Sequence, residues 1–355
     1  MNTLAPIEIH TSDRYFFRRC RRRWNWSSPI KGHNLETKDS SIGPLWLGSG
    51  FHFALEDYHG YQRFNHPTEA FEAYVKAFRR AQLPDDWEEL TELGLSMLSY
   101  YADIWLPKRE HFATLVLPDG SPAVEVSWSI PIMYTAEGRE VHYVGTFDRV
   151  VVDSEGRLWV EDYKTAARFD AASLETDAQI SAYTWAARQL YGPRVEGVLW
   201  IQFLKKQAKG PPVLQSGEFS QNKLQSTPYW LYRAALLEKF GEVPQRYVEF
   251  LNSLAEQETA DGDGFIKLFR VRRSPEHSQN LLAQIMHEVA DMLDPGLPLY
   301  PNPTRDCAWD CPFRSPCLAL DDGYDHESIL LDNFQLRTPM DHGGWRSRII
   351  YPNDR

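Results

Sequence analysis

The chain contains only 4 cysteines in 355 residues. That is too few for a disulfide scaffold, and a chain of this size does not need one. No run of about 18 apolar residues occurs, so no membrane-spanning helix is expected. The opening residues, Met1 to Pro6, lack the charged and apolar regions of a signal peptide. A cytoplasmic setting in a bacterium, an archaeon or a virus-infected cell is therefore expected. No short repeat runs through the chain, which excludes fibrous and solenoid architectures. No Gly-x-x-x-x-Gly-Lys-Ser/Thr segment is present, so any helicase would be a separate partner. Basic residues are also in deficit, 38 against 49 acids for a formal charge of -11. Taken alone, that balance argues against a nucleic-acid binder. What remains, 43% hydrophobic and 25% charged residues, suits a soluble globular protein of one large domain or two ordinary ones.

The few cysteines are not scattered. Cys20 stands alone, whereas Cys307, Cys311 and Cys317 share one Pro-punctuated segment. Four thiolates form a full ligand set for a tetrahedral zinc or for an iron–sulfur cluster, and softness alone fits either. Joining Cys20 to the other three would close a loop of nearly the whole chain, which points to a structural clasp.

Apolar spacing predicts helices over 11–26, 48–64, 67–82 and 86–106, the last stopped by Pro107. Alternating residues then predict strands over 123–134, 141–153 and 157–164. A helix over 171–191, a strand over 195–204 and helices over 221–239, 243–258 and 275–293 follow. That order describes an α/β core in a helical wrapping.

The central strands carry acids in a pattern. Asp162 and Lys164, two apart, project to one face while Tyr163 points away. Hairpin pairing can bring Asp148 beside them. Two carboxylates and an ammonium are costly to bury without a purpose, and a hard divalent cation such as Mg²⁺ or Mn²⁺ supplies one. Gln179 and Tyr183 share a face of the next helix, as His52 and Glu56 do on the 48–64 helix. Glu125 is a further acid, given only a supporting role.

In this order the motifs resemble the PD-(D/E)XK nuclease superfamily, in its RecB-like branch with a four-cysteine iron–sulfur cluster. That branch holds CRISPR-associated RecB-like exonucleases and AddB-type nuclease domains. Ser12…Tyr15…Cys20…Trp24 resembles the family's N-terminal segment, and Gly48-Ser-Gly-Phe-His52 its glycine–histidine helix. Gly145-x-x-Asp148-Arg149 and Asp162-x-Lys164-Thr165 resemble its acidic motifs, and Gln179-x-x-x-Tyr183 its glutamine–tyrosine helix. Cys307, Cys311 and Cys317 resemble its C-terminal cluster cysteines. Two departures stand out. An extra residue separates Cys307 from Cys311, and Arg21 stands where a proline is common, so iron against zinc stays open.

The resemblance implies a central mixed β-sheet of the restriction-endonuclease-like type, flanked by helices and clasped by cysteines. It implies one nuclease domain over 1–322, with helices over 8–110, a catalytic core over 113–205 and a C-terminal helical and cluster part over 221–322. Residues 323–355 form an extension. His52, Asp148, Asp162 and the Tyr163 carbonyl would bind the metal; Lys164 would position water; Gln179 and Tyr183 would hold the site and the strand. The implied reaction is Mg²⁺- or Mn²⁺-dependent hydrolysis of DNA, favouring single-stranded ends, with a helicase or recombination protein as partner and a 4Fe–4S cluster as clasp. Arg18, Arg19, Arg21, Arg22, Arg23, Lys205 and Lys206 are basic candidates for DNA contact, and Trp24, Trp26 and Trp46 are stacking candidates. The rival readings are a DNA-binding or scaffold subunit of a recombination or CRISPR-adaptation complex, and a zinc-clasped hydrolase.

Overall fold

The computed structural model describes residues 5–38 and 43–337; Ile349, Ile350 and the rest of the expected extension past 337 lie outside the described residues. The chain opens with β1 (Ile7–His10), α1 (Thr11–Arg19) and α2 (Arg21–Ser27). The single helix expected over 11–26 is thus two. Cys20 sits between them in extended conformation, φ -163° and ψ 113°, so the helix breaks at the thiol. A short β2 (Leu35–Thr37) precedes α3 (Gly43–Glu56), α4 (Pro67–Lys76) and α5 (Trp87–Ser99). α3 and α5 each run into a π-helical turn, Asp57–Tyr61 and Tyr100–Trp105.

The sheet follows: β3 (Ala113–Thr114), β4 (Val124–Tyr134), β5 (Glu140–Val152) and β6 (Leu158–Ala166), then α6 (Ala178–Tyr191) and β7 (Val195–Leu204). The expected 171–191 helix begins late because Ala172–Glu175 is a separate 3-10 turn and Asp177 caps α6 by accepting from the Ile180 N–H. The helix expected from 221 begins only at Tyr229, with Pro228 as its cap: α7 (Tyr229–Phe240) is followed by α8 (Gln245–Ala255). Next come β8 (Ile266–Arg272), α9 (Pro275–Leu293), α10 (Arg314–Asp321), α11 (His326–Asn333) and β9 (Phe334–Leu336), which pairs with β2.

The mixed sheet runs β1-β5-β6-β7-β8, with β3 and β4 also on β5. β6 and β7 are parallel and joined through α6; β5–β6 and β7–β8 are antiparallel. One face, including Trp159, Tyr163, Ile201 and Phe203, packs on α3, α4 and α5. The other, including Leu158, Val160, Val198 and Trp200, packs on α6 and α9. This is the α/β architecture of a central mixed sheet flanked by helices.

One detail of the register positions everything that follows. β4 runs along one edge of β5, from Val124↔Arg149 to Tyr134↔Glu140. The opposite edge changes neighbour: β1 pairs at Val141–Val144, and β6 only from Arg149 onward. Between them, residues 145–148 of β5 face a fork. In α/β sheets such switch points are where ligands bind.

Two glycines allow the close approaches around this fork. A Cβ on Gly50 would lie 2.6 Å from the Tyr74 ring, so glycine lets α4 seat tightly on α3. A Cβ on Gly145 would lie 2.5 Å from the Trp128 ring, its cross-strand partner. Gly145→Ala is expected to destabilise the protein by about 2 kcal/mol through overpacking, measured by urea denaturation. An unchanged midpoint would mean that Trp128 moves aside freely.

Candidate active site

Asp148 stands at the fork. The β5–β6 ladder ends at Arg149↔Glu161, and the Tyr163 N–H beyond it donates instead to Asp148 Oδ2 at 2.8 Å. A carboxylate thus replaces a missing backbone acceptor and fixes the opening of the strands. Directly behind, the buried Arg149 donates to Glu161 at 2.7 Å, and the Tyr163 hydroxyl donates to the same carboxylate at 2.6 Å. These contacts pin the backbone on both sides of Asp162.

Asp162 and Lys164 project toward α6, as alternation requires, while Tyr163 turns to the α3 side. Lys164 Nζ lies 2.9 Å from Asp162 Oδ1 and 5.0 Å from the centre of the Trp200 ring. Gln179 donates to Asp162 Oδ1 at 3.2 Å and to the Tyr183 hydroxyl at 2.8 Å. From the opposite face, α3 brings His52 Nδ1 to 3.4 Å from Asp148 Oδ2. The fork is what lets groups from both faces of the sheet meet. A cavity of about 620 Å³, lined in part by His10, Thr11, Asp148, Gln179 and Tyr183, opens there. A second, of about 890 Å³, shares Thr11, Ser12 and Gln179 with it and extends to Thr304 and Asp306.

The electrostatics are those of a crowded acidic site. Burial holds Asp162 above the usual carboxylate range; Lys164 opposes that rise and Asp148 adds to it. Burial works against charge on His52, but the Asp148 carboxylate outweighs it and pushes the imidazole up to about 9. Lys164 is raised despite its burial because two carboxylates face it.

Glu125 belongs in this set, although sequence reading left it at the margin. It lies across from Asp148, between the paired positions Val124↔Arg149 and Val126↔Phe147. Its backbone is left-handed, φ 47°, a strained conformation for a glutamate. Like charges facing each other across two strands are unfavourable without a cation between them. One ligand atom from each of His52, Glu125 and Asp148 fits within 4.8 Å of the others. An imidazole with two carboxylates so placed suits a divalent metal, so the donor set fits. Asp162, on the α6 side, lies close enough to Asp148 and His52 for their charges to interact.

The four cysteines also come together. Cys20, Cys307, Cys311 and Cys317 line one cavity of about 120 Å³ near the ends of the described chain. Each is half-buried and free. The Arg23 and Asn302 N–H groups point at Cys20 Sγ, both at 3.5 Å, and Thr304 N–H at Cys307 Sγ, 3.4 Å. Such donors suit thiolate sulfur, and the cage fits a cysteine-bound group.

The DNA-contact candidates divide. Trp24 is fully buried against Phe17 and Met292, and Trp26 and Trp46 are also core, so the stacking expectation for these three is corrected. Aromatic bulk beside a basic run was being used for packing. The arginine run is spent locally as well: Arg18 faces Glu288, Arg19 faces Asp306 and Asp310, Arg21 faces Asp291, Arg22 faces Asp321, and Arg23 faces Asp310. Lys205 is exposed at the end of β7, its backbone paired to Ala166 just past Lys164, and Lys206 stacks on Phe265.

No curated protein sequence matches the chain. A crystal structure from Eubacterium rectale, described as "Putative exonuclease", aligns over 81% of this chain and 80% of its own, at 10% identity and a TM-score of 0.36. A profile of the PD-(D/E)XK nuclease superfamily matches residues 14–318, the span that holds the fork, its acids, Lys164 and all four cysteines. The chain belongs to the PD-(D/E)XK nuclease superfamily.

Proposed function

We propose that this chain is a metal-dependent deoxyribonuclease of the RecB-like branch, an exonuclease on single-stranded DNA ends, with a structural iron–sulfur cluster. The observation that carries it is the fork: His52, Glu125 and Asp148 gather within 4.8 Å, with Asp162 and Lys164 on the adjacent strand. His52, Glu125, Asp148, Asp162 and the Tyr163 carbonyl would hold Mg²⁺ or Mn²⁺. When bound, that cation supplies Lewis-acid activation of water and of the phosphodiester.

The chain's own groups do the rest. Lys164, held between Asp162 and the Trp200 face, orients the attacking water and answers charge that develops on the phosphate. Gln179 fixes the Asp162 carboxylate and the Tyr183 hydroxyl in one geometry. The two adjoining cavities give a single strand a route past the centre. In this reading residues 1–322 form one nuclease domain, and a helicase or recombination protein supplies the end.

Four thiols lining one common cavity support an iron–sulfur cluster as the cysteine-bound group. The test is digestion of 5′- and 3′-labelled single- and double-stranded DNA with Mg²⁺ or Mn²⁺. Preferential release of short products from single-strand ends is expected, and equal degradation by wild type and Lys164→Ala would falsify the assignment. Glu125→Gln is expected to weaken Mn²⁺ binding by about 10- to 100-fold, read by calorimetry. Unchanged affinity would return Glu125 to a supporting role.

A further inference from the structure

The arginines of α1 and α2 looked like a DNA-binding patch, yet three of them reach into the cysteine segment. Asp310, between Cys307 and Cys311, accepts from Arg19 and from Arg23, the latter at 3.1 Å; Arg23 also reaches the Asp310 carbonyl at 3.4 Å. Arg22 donates to Asp321 at 2.7 Å, and to both the carbonyl and the sulfur of Cys317 at 3.3 Å. Asn302 Nδ2 closes the set on the Arg19 carbonyl at 2.9 Å. The side chains of Arg19, Arg22 and Arg23 are only 16%, 12% and 11% exposed. Their pairs are therefore less screened than ordinary surface bridges, and two of them share one carboxylate.

We propose that Arg19, Arg22 and Arg23 are positioning residues for the cysteine cage: through Asp310 and Asp321 they hold the segment bearing Cys307, Cys311 and Cys317 against Cys20 and so slow release of the bound cofactor. The inference rests on the reading of the cage as a cofactor site. Its physical basis is charge. Bringing four thiolates together is repulsive, and guanidiniums on the rim offset that repulsion, Arg22 by direct contact with a sulfur. Trp26 and Phe313, 5.5 Å apart, back the cage with an apolar contact that supplies no such charge.

The experiment measures iron, sulfide and zinc per chain after anaerobic purification, then the rate of cofactor loss to a chelator. Asp310→Ala is expected to lose it about 10-fold faster than wild type, and Asp310→Glu to resemble wild type. Arg22→Gln should also accelerate loss. The wild-type rate should itself rise with salt, which needs no variant and holds even if Asp310→Ala folds poorly. Wild-type rates in Asp310→Ala and Arg22→Gln, with no salt effect, would overturn the proposal. A wild-type protein that carries neither iron nor zinc would instead overturn the cofactor reading beneath it.

Discussion

Asp148→Asn is expected to lower DNA cleavage by about a thousandfold while the protein stays folded. The substitution keeps the shape of the side chain and an oxygen able to accept the Tyr163 N–H, so the fork keeps its spacing. What it removes is charge at the fork, where groups from both faces of the sheet approach one another. His52 loses the carboxylate that raises it, and Glu125 loses the partner that would share a cation with it. Loss of rate with an unchanged thermal melt therefore separates chemistry from folding. Initial rates on end-labelled single strands at saturating Mn²⁺ give the measurement. An Asp148→Asn rate equal to wild type would move the chemistry away from the fork.

Cys311→Ser is expected to have the largest effect on stability. One lost ligand opens the cage and unties the N-terminal helices from the C-terminal segment. In the chain-entropy model a cross-link over so long a loop stabilises by about 5 kcal/mol. That is a large part of the stability of a typical domain. The expected result is loss of visible cluster absorbance together with a lower melting temperature. The Mn²⁺ affinity of the remaining folded fraction should be unchanged, because the fork's ligands come from α3, β4, β5 and β6. A Cys311→Ser protein with wild-type melting would mean that the ion pairs and the Trp26–Phe313 contact hold the clasp without a cofactor.

Much of the candidate site was legible because its pattern is local in sequence. Alternation alone put Asp162 and Lys164 on one face and Tyr163 on the other, and helical spacing put Gln179 beside Tyr183. Glu125 was not legible, because its place depends on a hairpin register. The β4–β5 pairing shifts by one residue at the irregularity between Pro131 and Met133, and that shift sets Glu125 rather than Val126 across from Asp148. No residue type announces such a shift. The arginine run was legible as charge, but its answering acids lie near the other end of the chain. β8 was missed for a related reason: Arg270 and Arg272 look like loop residues until Asp261, Glu110 and Glu196 are placed beside them. The sequence order of motifs conveyed the architecture; long-range pairings decided which charges were free.

The clasp also bears on how the chain is made. β1 adds to β5, α1 pairs with Glu288 of α9, and α2 meets a cysteine segment that follows it by most of the chain's length. During synthesis α1 and α2 therefore emerge before much of their packing surface, and the Phe17–Trp24 pair is completed only when Met292 has been translated. The native packing of α1 and α2 therefore depends on elements that follow them in the chain. In chains interrupted before α9, α1 and α2 lack these partners, which makes them the expected point of chaperone contact and of proteolytic nicking.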